Sequence, residues 1–324
     1  MNDTSASRAP IAILMATFNG SRYLQDQLDS LWQQTRQDFE LYVRDDGSSD
    51  ETLSLLRTAA AAHPGRLHIV TSDSTRLGPK RSFLSLLQHT DAHYIALCDQ
   101  DDFWLPHKLE RLVDATAHAE SSLTADTPVL CCSDATVADA ALQPMKGTYF
   151  ERHGVRVSDG RDLALSRLLF RNFAIGATTM VNSALARRCR EVPAAAIMHD
   201  WWMALVATAL GRAVVLTEPL ILYRQHSANE IGSRLRAVPR TWVQMEGYLE
   251  LSRTSAARCV AQAIAFNRHF DPLPPESARI LEPFTSFAEQ GWMRRASTLI
   301  RSRAFKPGLA RNGLHLYACI TAPF

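Results

Sequence analysis

Asp99, Asp101 and Asp102 crowd into ALCDQDDFW (96–104), directly after an apolar run. Three carboxylates at a mostly buried strand end repel one another, and burial makes each charge costly unless a cation or hydrogen-bond donors compensate. A divalent cation is the natural compensation. Oxygen ligands without neighbouring Cys or His favour Mg²⁺ or Mn²⁺ over Zn²⁺, and such ions usually keep waters and share a diphosphate. A second acidic pair, Asp45 and Asp46 in VRDDGSSD (43–50), also reads as a strand-to-helix turn, with Gly47 making the bend and Ser48 or Ser49 capping the next helix. Asp200, in IMHDWWMALVATAL (197–210), stands ahead of an apolar helix, where a helix cap and a general base are both open readings. Lys80 and Arg81 in TRLGPKRSF (75–83) start a helix, facing either an anion or solvent.

The elements that must position these groups are legible from hydropathy. IAILMA (11–16), LYVR (41–44), LHIVT (67–71) and YIALC (94–98) are short apolar runs bounded by turn formers, as buried parallel strands are. Between them Leu24, Leu28 and Leu31, then Leu53, Leu56 and Ala60, then Phe83, Leu84 and Leu87 fall at helical spacing. This βαβαβαβ order predicts a doubly wound sheet with ligands at the carboxyl ends of its strands. Both acidic clusters fall at such ends. Further on, a helix near 107–119, a strand near 129–133, a loop-rich stretch over 138–162, a strand over 174–181 and two short strands near 213–217 and 220–224 predict a mixed half. From about 235 the pattern is helical, with DPLPPES (271–277) as its linker.

The chain has 324 residues, 46% of them hydrophobic, and a formal net charge of +2. That composition excludes disordered and collagen-like classes, and no nucleic-acid partner is expected. No apolar run reaches the roughly 18–20 residues of a membrane span. MNDTSASRAP (1–10) carries an acid and no long apolar stretch, so it does not read as a secretory signal and a cytoplasmic location is expected. The six cysteines show no CxxC pair and read as buried hydrophobes in a reducing compartment.

In order and spacing, ATFNGSRYLQDQLDSL, VRDDGSSDETLSLL and ALCDQDDFWLPHKLERL, with HDWW downstream, resemble the inverting family 2 glycosyltransferases of the GT-A fold. CDQDDFW is similar to the DxD region of bacterial rhamnosyltransferase-like members. The resemblance covers roughly residues 10–230. It implies a Rossmann-like, mostly parallel α/β sheet, a nucleoside-diphosphate sugar donor leaning to dTDP-rhamnose, and Mg²⁺ or Mn²⁺. Thr17, Phe18 and Asn19 would line the nucleoside pocket, Asp45 and Asp46 would meet base and ribose, and Arg81 would face the diphosphate. Asp101 would bind the metal, with Asp99 in ribose or bridging contacts and Asp102 in reserve. Arg76 stands where family members often carry Asn, a departure that leaves its role open.

On the acceptor side the resemblance implies Asp200 as general base, with Trp201 and Trp202 beside it to stack on sugar faces, one of the two being expected in the core. It implies that His226 reaches the diphosphate or metal and that Arg224 belongs to the acceptor side. Gly176, in NFAIGATTM, would let the acceptor approach the backbone; a strand bulge is the other reading. The expected organisation is a donor-binding half (1–110), an acceptor-binding half (111–234) and a basic, amphipathic helical extension (235–324). Arg294, Arg295, Arg301, Arg303, Lys306 and Arg311, with no acid after Glu289, suit the anionic cytoplasmic face of a membrane, where a lipid-linked or surface-polysaccharide acceptor would be met; a solvated basic helix, or one packed on the catalytic domain, is the other reading. Two other classes stay open. A haloacid-dehalogenase-like phosphatase would want its paired aspartates after the first strand, which here ends in ATFNG. A non-catalytic nucleotide-sugar-binding scaffold would bind donor without turning it over.

Overall fold

The computed structural model describes residues 10–70, 76–155, 157, 164–226, 242–301 and 309–322. It opens with β1 (Ile11–Thr17), α1 (Ser21–Trp32), β2 (Phe39–Asp45), α2 (Thr52–Ala62), β3 (Leu67–Ile69), α3 (Gly78–Leu86) and β4 (Tyr94–Cys98). β3, β2, β1 and β4 lie side by side and parallel. Ile11 to Met15 are wholly buried because helices cover both faces of this sheet, which is why β1 reads as a continuous apolar run. On α1, Leu24, Leu28 and Leu31 form the stripe that seats it.

The chain continues through β5 (Phe103–Trp104), α4 (Lys108–Glu120), β6 (Val129–Ala138), β7 (Pro144–Thr148), α5 (Tyr149–His153) and α6 (Leu165–Leu168). A 3₁₀ turn at Gly176–Thr178 leads into β8 (Thr179–Asn182), α7 (Ser183–Arg188), α8 (His199–Leu210) and β9 (Arg212–Arg224). Here the sheet becomes mixed: β8 runs antiparallel to β4 and β6, whereas β9 runs parallel to β6. The strand expected over 174–181 is therefore shorter, because its first half coils into the 3₁₀ turn. The two short strands expected near 213–217 and 220–224 are one, carried past Pro219 by shifts of register against β6. The stretch 138–162, expected to be loop-rich, holds β7 and α5, the latter started by a reciprocal cap between Thr148 and Glu151.

Among the described residues four α-helices follow: α9 (Trp242–His269), α10 (Pro275–Thr285), α11 (Trp292–Arg301) and α12 (Leu309–Thr321). They are no loose appendage. Trp202 of α8 is fully buried against Phe266 and Phe270, and the Ile197 N–H donates to Gln262 Oε1 at 2.7 Å. Arg295 donates to the carbonyls of Phe287, Ala288, Ile320 and Ala322, tying α11 to its neighbours. Of the other cations expected to face a membrane, Arg303, Lys306 and the side chain of Arg311 lie outside the described residues, as do 1–9, Thr75 and 227–241. No helix among the described residues is long and apolar enough to cross a membrane. All six cysteines are buried and unbridged.

Candidate active site

A cleft of about 370 Å³ lies at the carboxyl ends of β1 and β4 and is closed on its far side by the 3₁₀ turn and the start of α8. It brings together Thr17, Phe18, Asp46, Asp99, Asp101, Gly176 and Asp200 from the residues singled out by sequence. Arg76, whose role the sequence leaves open, also enters it, its guanidinium 3.8 Å from the centre of the Phe18 ring.

The nucleotide-side loops are tied by their own side chains. Thr17 and Asp45 face each other across β1 and β2, and the Thr17 hydroxyl donates to Asp45 Oδ1 at 2.9 Å. Asp45 also accepts from the N–H groups of Gly47 and Ser48 and from the Ser48 hydroxyl. Asp46 reaches the start of α3, accepting from the N–H groups of Leu77 (2.7 Å) and Gly78 (2.8 Å), with Arg44 beside it. The negative carboxylate suits that helix end, whose first N–H groups have no helical partner. Gln100 joins β4 to β1 in both directions: its amide oxygen accepts from Phe18 N–H (2.9 Å) and its amide nitrogen donates to Phe18 O (3.0 Å). Any side chain at Gly20 would collide with that amide.

The aspartates after β4 divide. Asp101 Oδ2 lies 2.8 Å from His226 Nε2, with the Tyr23 ring against the imidazole at 4.6 Å between centroids and a tilt of 33°. Asp102 points inward: it is 1% exposed, its Oδ1 accepts from Arg224 N–H, and its Oδ2 is enclosed without a hydrogen-bond partner. Burial, with Asp101 and Asp99 nearby, pushes its carboxyl well above the ordinary range. Beneath it Lys108 is fully buried, donating to Ala177 O and lying over the Trp104 ring; burial lowers its ammonium to about 7. Among the described residues no three His, Cys, Asp or Glu are grouped to hold a metal. Mg²⁺ and Mn²⁺ need no such cage, since one or two protein ligands completed by water and substrate phosphate suffice. Asp101 and His226 fit that kind of shared site.

At the far wall, Asp200 occupies the second position of α8 and Met198 is the cap, so the cap reading of Asp200 gives way. Its Oδ2 accepts from Gly176 N–H at 3.0 Å and its Oδ1 from Trp201 N–H at 2.6 Å. Burial raises its carboxyl to about 6, against those two bonds and the Asn172 side chain, which favour the charged form. Such a group is basic enough to take a proton from a hydroxyl and still ionised near neutrality.

The family model described as "Glycosyl transferase family 2" matches residues 12–173. The chain belongs to glycosyl transferase family 2. Among its relatives are an uncharacterized Mycobacterium tuberculosis protein, 26% identical over 67% of this chain and 59% of that protein, and a dTDP-rhamnosyl transferase of Shigella flexneri, 24% identical over 68% of this chain and 74% of that one. The chain thus spans about 59% of the length of the mycobacterial relatives it matches. The fold is similar to that of S. aureus TarS 1-349 in complex with UDP-GlcNAc, with a TM-score of 0.54 and 15% identity over 96% of this chain and 90% of that one. It is also similar to the mannosyltransferase PcManGT from Pyrobaculum calidifontis in complex with GDP-Man and Mn²⁺, with a TM-score of 0.52 and 19% identity over 95% and 79% of the two chains. These likenesses establish a GT-A architecture.

Within this family-2 chain, several residues expected at the site are employed elsewhere. Asn19, at φ 46°, accepts from Ser49 with its side-chain oxygen, and Asp45 is folded into its own loop; neither forms part of the cleft wall. Arg81 is exposed on α3 outside the cleft, and the adjacent Lys80 donates to the carbonyls of Ala194 and Ala196. Trp202 is core, and the Trp201 indole donates to Leu168 O at 2.5 Å, leaving neither as a cleft wall for sugar stacking. Arg224, 2% exposed, clamps the Asp101 and Ala140 carbonyls and the Asp26 carboxylate, so its place is structural. Asp102 is turned away from the cleft, as its partners require.

Sequence reasoning also passed over Gln100, Lys108 and His199. Gln100 sat unremarked between carboxylates, although a neutral amide there is the one side chain able to bridge both ways. Lys108 shares a helical stripe with Leu112 and Thr116, both fully buried, which is a signal for a buried lysine. His199 was read only as the neighbour of Asp200.

Proposed function

We propose that this chain is an inverting glycosyltransferase that moves a sugar from a nucleoside-diphosphate donor to a hydroxyl of a lipid-linked or surface-polysaccharide acceptor. The observation that carries this reading is the cleft itself, which sets Asp99 and Asp101 at the end of β4 opposite Asp200 at the start of α8. Thr17, Phe18 and Asp46 form the nucleoside end, with residues 1–110 as donor half and 111–234 as acceptor half. Arg76 over Phe18 supplies the cation at that end which Arg81 does not. Asp101 and His226 would hold Mg²⁺ or Mn²⁺, with Asp99 alongside, and such an ion when bound would supply charge compensation for the diphosphate leaving group. Asp200 takes the proton of the attacking hydroxyl as its oxygen reaches the anomeric carbon from the face opposite the diphosphate.

The lean to dTDP-rhamnose draws on the Shigella flexneri relative and on the apolar side chains of Phe83, Ile175 and Met198 in the cleft wall, which suit the C–H face of a deoxy sugar. Incubating the protein with a panel of nucleotide sugars, with and without Mn²⁺, tests the reading. Metal-dependent release of nucleoside diphosphate that Asp200→Asn abolishes supports it. Donor binding without turnover returns the scaffold reading.

For the membrane contact, support comes from Trp292 and Met293, each 67% exposed beside the exposed Arg294. Replacing both with Ser should reduce flotation with anionic liposomes while leaving donor hydrolysis unchanged; equal flotation overturns the contact. This pair is a cleaner probe than deleting 291–324, since Leu299 and Cys319 of that stretch are fully buried.

A further inference from the structure

We propose that His199 recognises a sugar hydroxyl held beside Asp200, a step that rests on the glycosyltransferase reading above. The imidazole is 4% exposed, yet neither Nδ1 nor Nε2 has a hydrogen-bond partner among the described residues. Buried polar groups are nearly always matched, and an unmatched ring in a cleft wall marks where a ligand supplies the match. The ring itself is held in place. It lies flat on Phe83, with centroids 4.1 Å apart and planes 18° from parallel, and both side chains line the cleft.

Two features say what chemistry the ring meets. Burial lowers the imidazole to about 3, so it is neutral, one nitrogen donating and the other accepting. A neutral donor and acceptor suits a hydroxyl and offers nothing to attract the diphosphate. Gly176 then shows where the hydroxyl lodges. A Cβ at that position would sit 3.3 Å from His199 Nε2, 3.8 Å from Asp200 Cβ and 3.9 Å from Asp200 Oδ2. A methyl there would press on the imidazole, so the missing side chain leaves clear the part of the cleft that Gly176, His199 and Asp200 line together. A hydroxyl there meets Nε2 on one side and Oδ2 on the other, and the imidazole fixes its direction. Gly176 adopts no left-handed conformation, so its role is the space and not backbone freedom.

The hydroxyl belongs to the donor sugar or to the acceptor, and one experiment separates them. The full-length protein, labelled with ¹⁵N-histidine, is titrated with dTDP and UDP plus Mg²⁺, then with the corresponding nucleotide sugars, then with methyl glycosides added to the nucleoside-diphosphate complex. His199→Phe, which keeps the stack on Phe83, and His199→Asn both identify the signal. The His199 nitrogens should stay in place with nucleoside diphosphate and move with a sugar. Movement with nucleotide sugars assigns the donor sugar, and movement only with methyl glycosides assigns the acceptor. A signal unmoved by every sugar while nucleoside diphosphate binds overturns the proposal and leaves the donor site standing. If neither nucleoside diphosphate binds, the glycosyltransferase reading fails and this one with it. In turnover, His199→Phe and Gly176→Ala should each raise the KM for the recognised sugar about 10-fold, the worth of one hydrogen bond, with nucleoside-diphosphate affinity within twofold. Unchanged KM values for donor and acceptor sugars in both folded variants also overturn it.

Discussion

The two ends of the cleft are built on opposite terms. At the end formed by β1, β2 and α3 the carboxylates are saturated: Asp45 and Asp46 accept from backbone and hydroxyl donors of neighbouring segments, and Gln100 locks β1 to β4. At the α8 end His199 is unmatched among the described residues, and Asp200 is buried with a proton affinity raised into the physiological range. The first arrangement ties its loops together through the chain's own donors. The second stores unmet polarity, as sites that shift pKa values do.

Asp200→Asn should break this contrast most severely. Turnover is expected to fall by about 10² to 10⁴. The folded protein holds the Asp200 proton more tightly than the unfolded chain, whose carboxyl titrates near 4, so stability declines as pH rises from there through about 6. Asn removes that buried charge, and the melting temperature at pH 8 should hold or rise. Wild-type activity should climb with pH through about 6 as the base ionises. A pH profile and a melting curve on one preparation check both; a variant that melts early with turnover intact would assign Asp200 a structural part.

Asp101→Ala comes next. Calorimetry with dTDP or UDP should lose its Mn²⁺ dependence, an effect on the order of 10-fold or more in affinity if one charge-assisted contact is removed. Unchanged metal dependence would move the metal elsewhere. Asp46→Ala sharpens the other side of the contrast: freeing the N–H groups of Leu77 and Gly78 should cost about 1–3 kcal/mol of stability in denaturant titration, with turnover following only as these loops loosen. A large loss of nucleotide affinity with stability intact would make Asp46 a direct ligand contact. Arg81→Ser should be the smallest change, within twofold in donor affinity, because its side chain is exposed outside the cleft.

The parallel sheet was plain in the sequence because IAILMA and YIALC have no other stable home than a covered sheet. The acidic clusters were found because like charges at strand ends demand an explanation. What escaped was direction. Nothing in CDQDD says that Asp101 turns toward His226 while Asp102 turns inward beneath Arg224, since both follow the same strand and β5 starts immediately after them. Likewise HDWW places one tryptophan in the core, but the packing of α9 decides that it is Trp202. The break of 174–181 into a 3₁₀ turn was hidden for the same reason: Lys108, distant in sequence, holds the Ala177 carbonyl that shapes it.

The buttress behind α8 has a consequence for how short this chain can be made. Gln262 holds the approach to α8, Ser277 donates to Ala209 O at its other end, and Phe266 and Phe270 cover Trp202 between them. All of this lies beyond residue 173, where the family match stops. A fragment cut after His226 would uncover Trp202 and leave the Ile197 N–H and the Ala209 carbonyl without these partners, and it should aggregate, although it would keep every carboxylate of the cleft. The C-terminal helices are therefore where substitutions can retune the α8 end of the cleft from behind, shifting Asp200 and His199 by repacking residues that do not line the cleft.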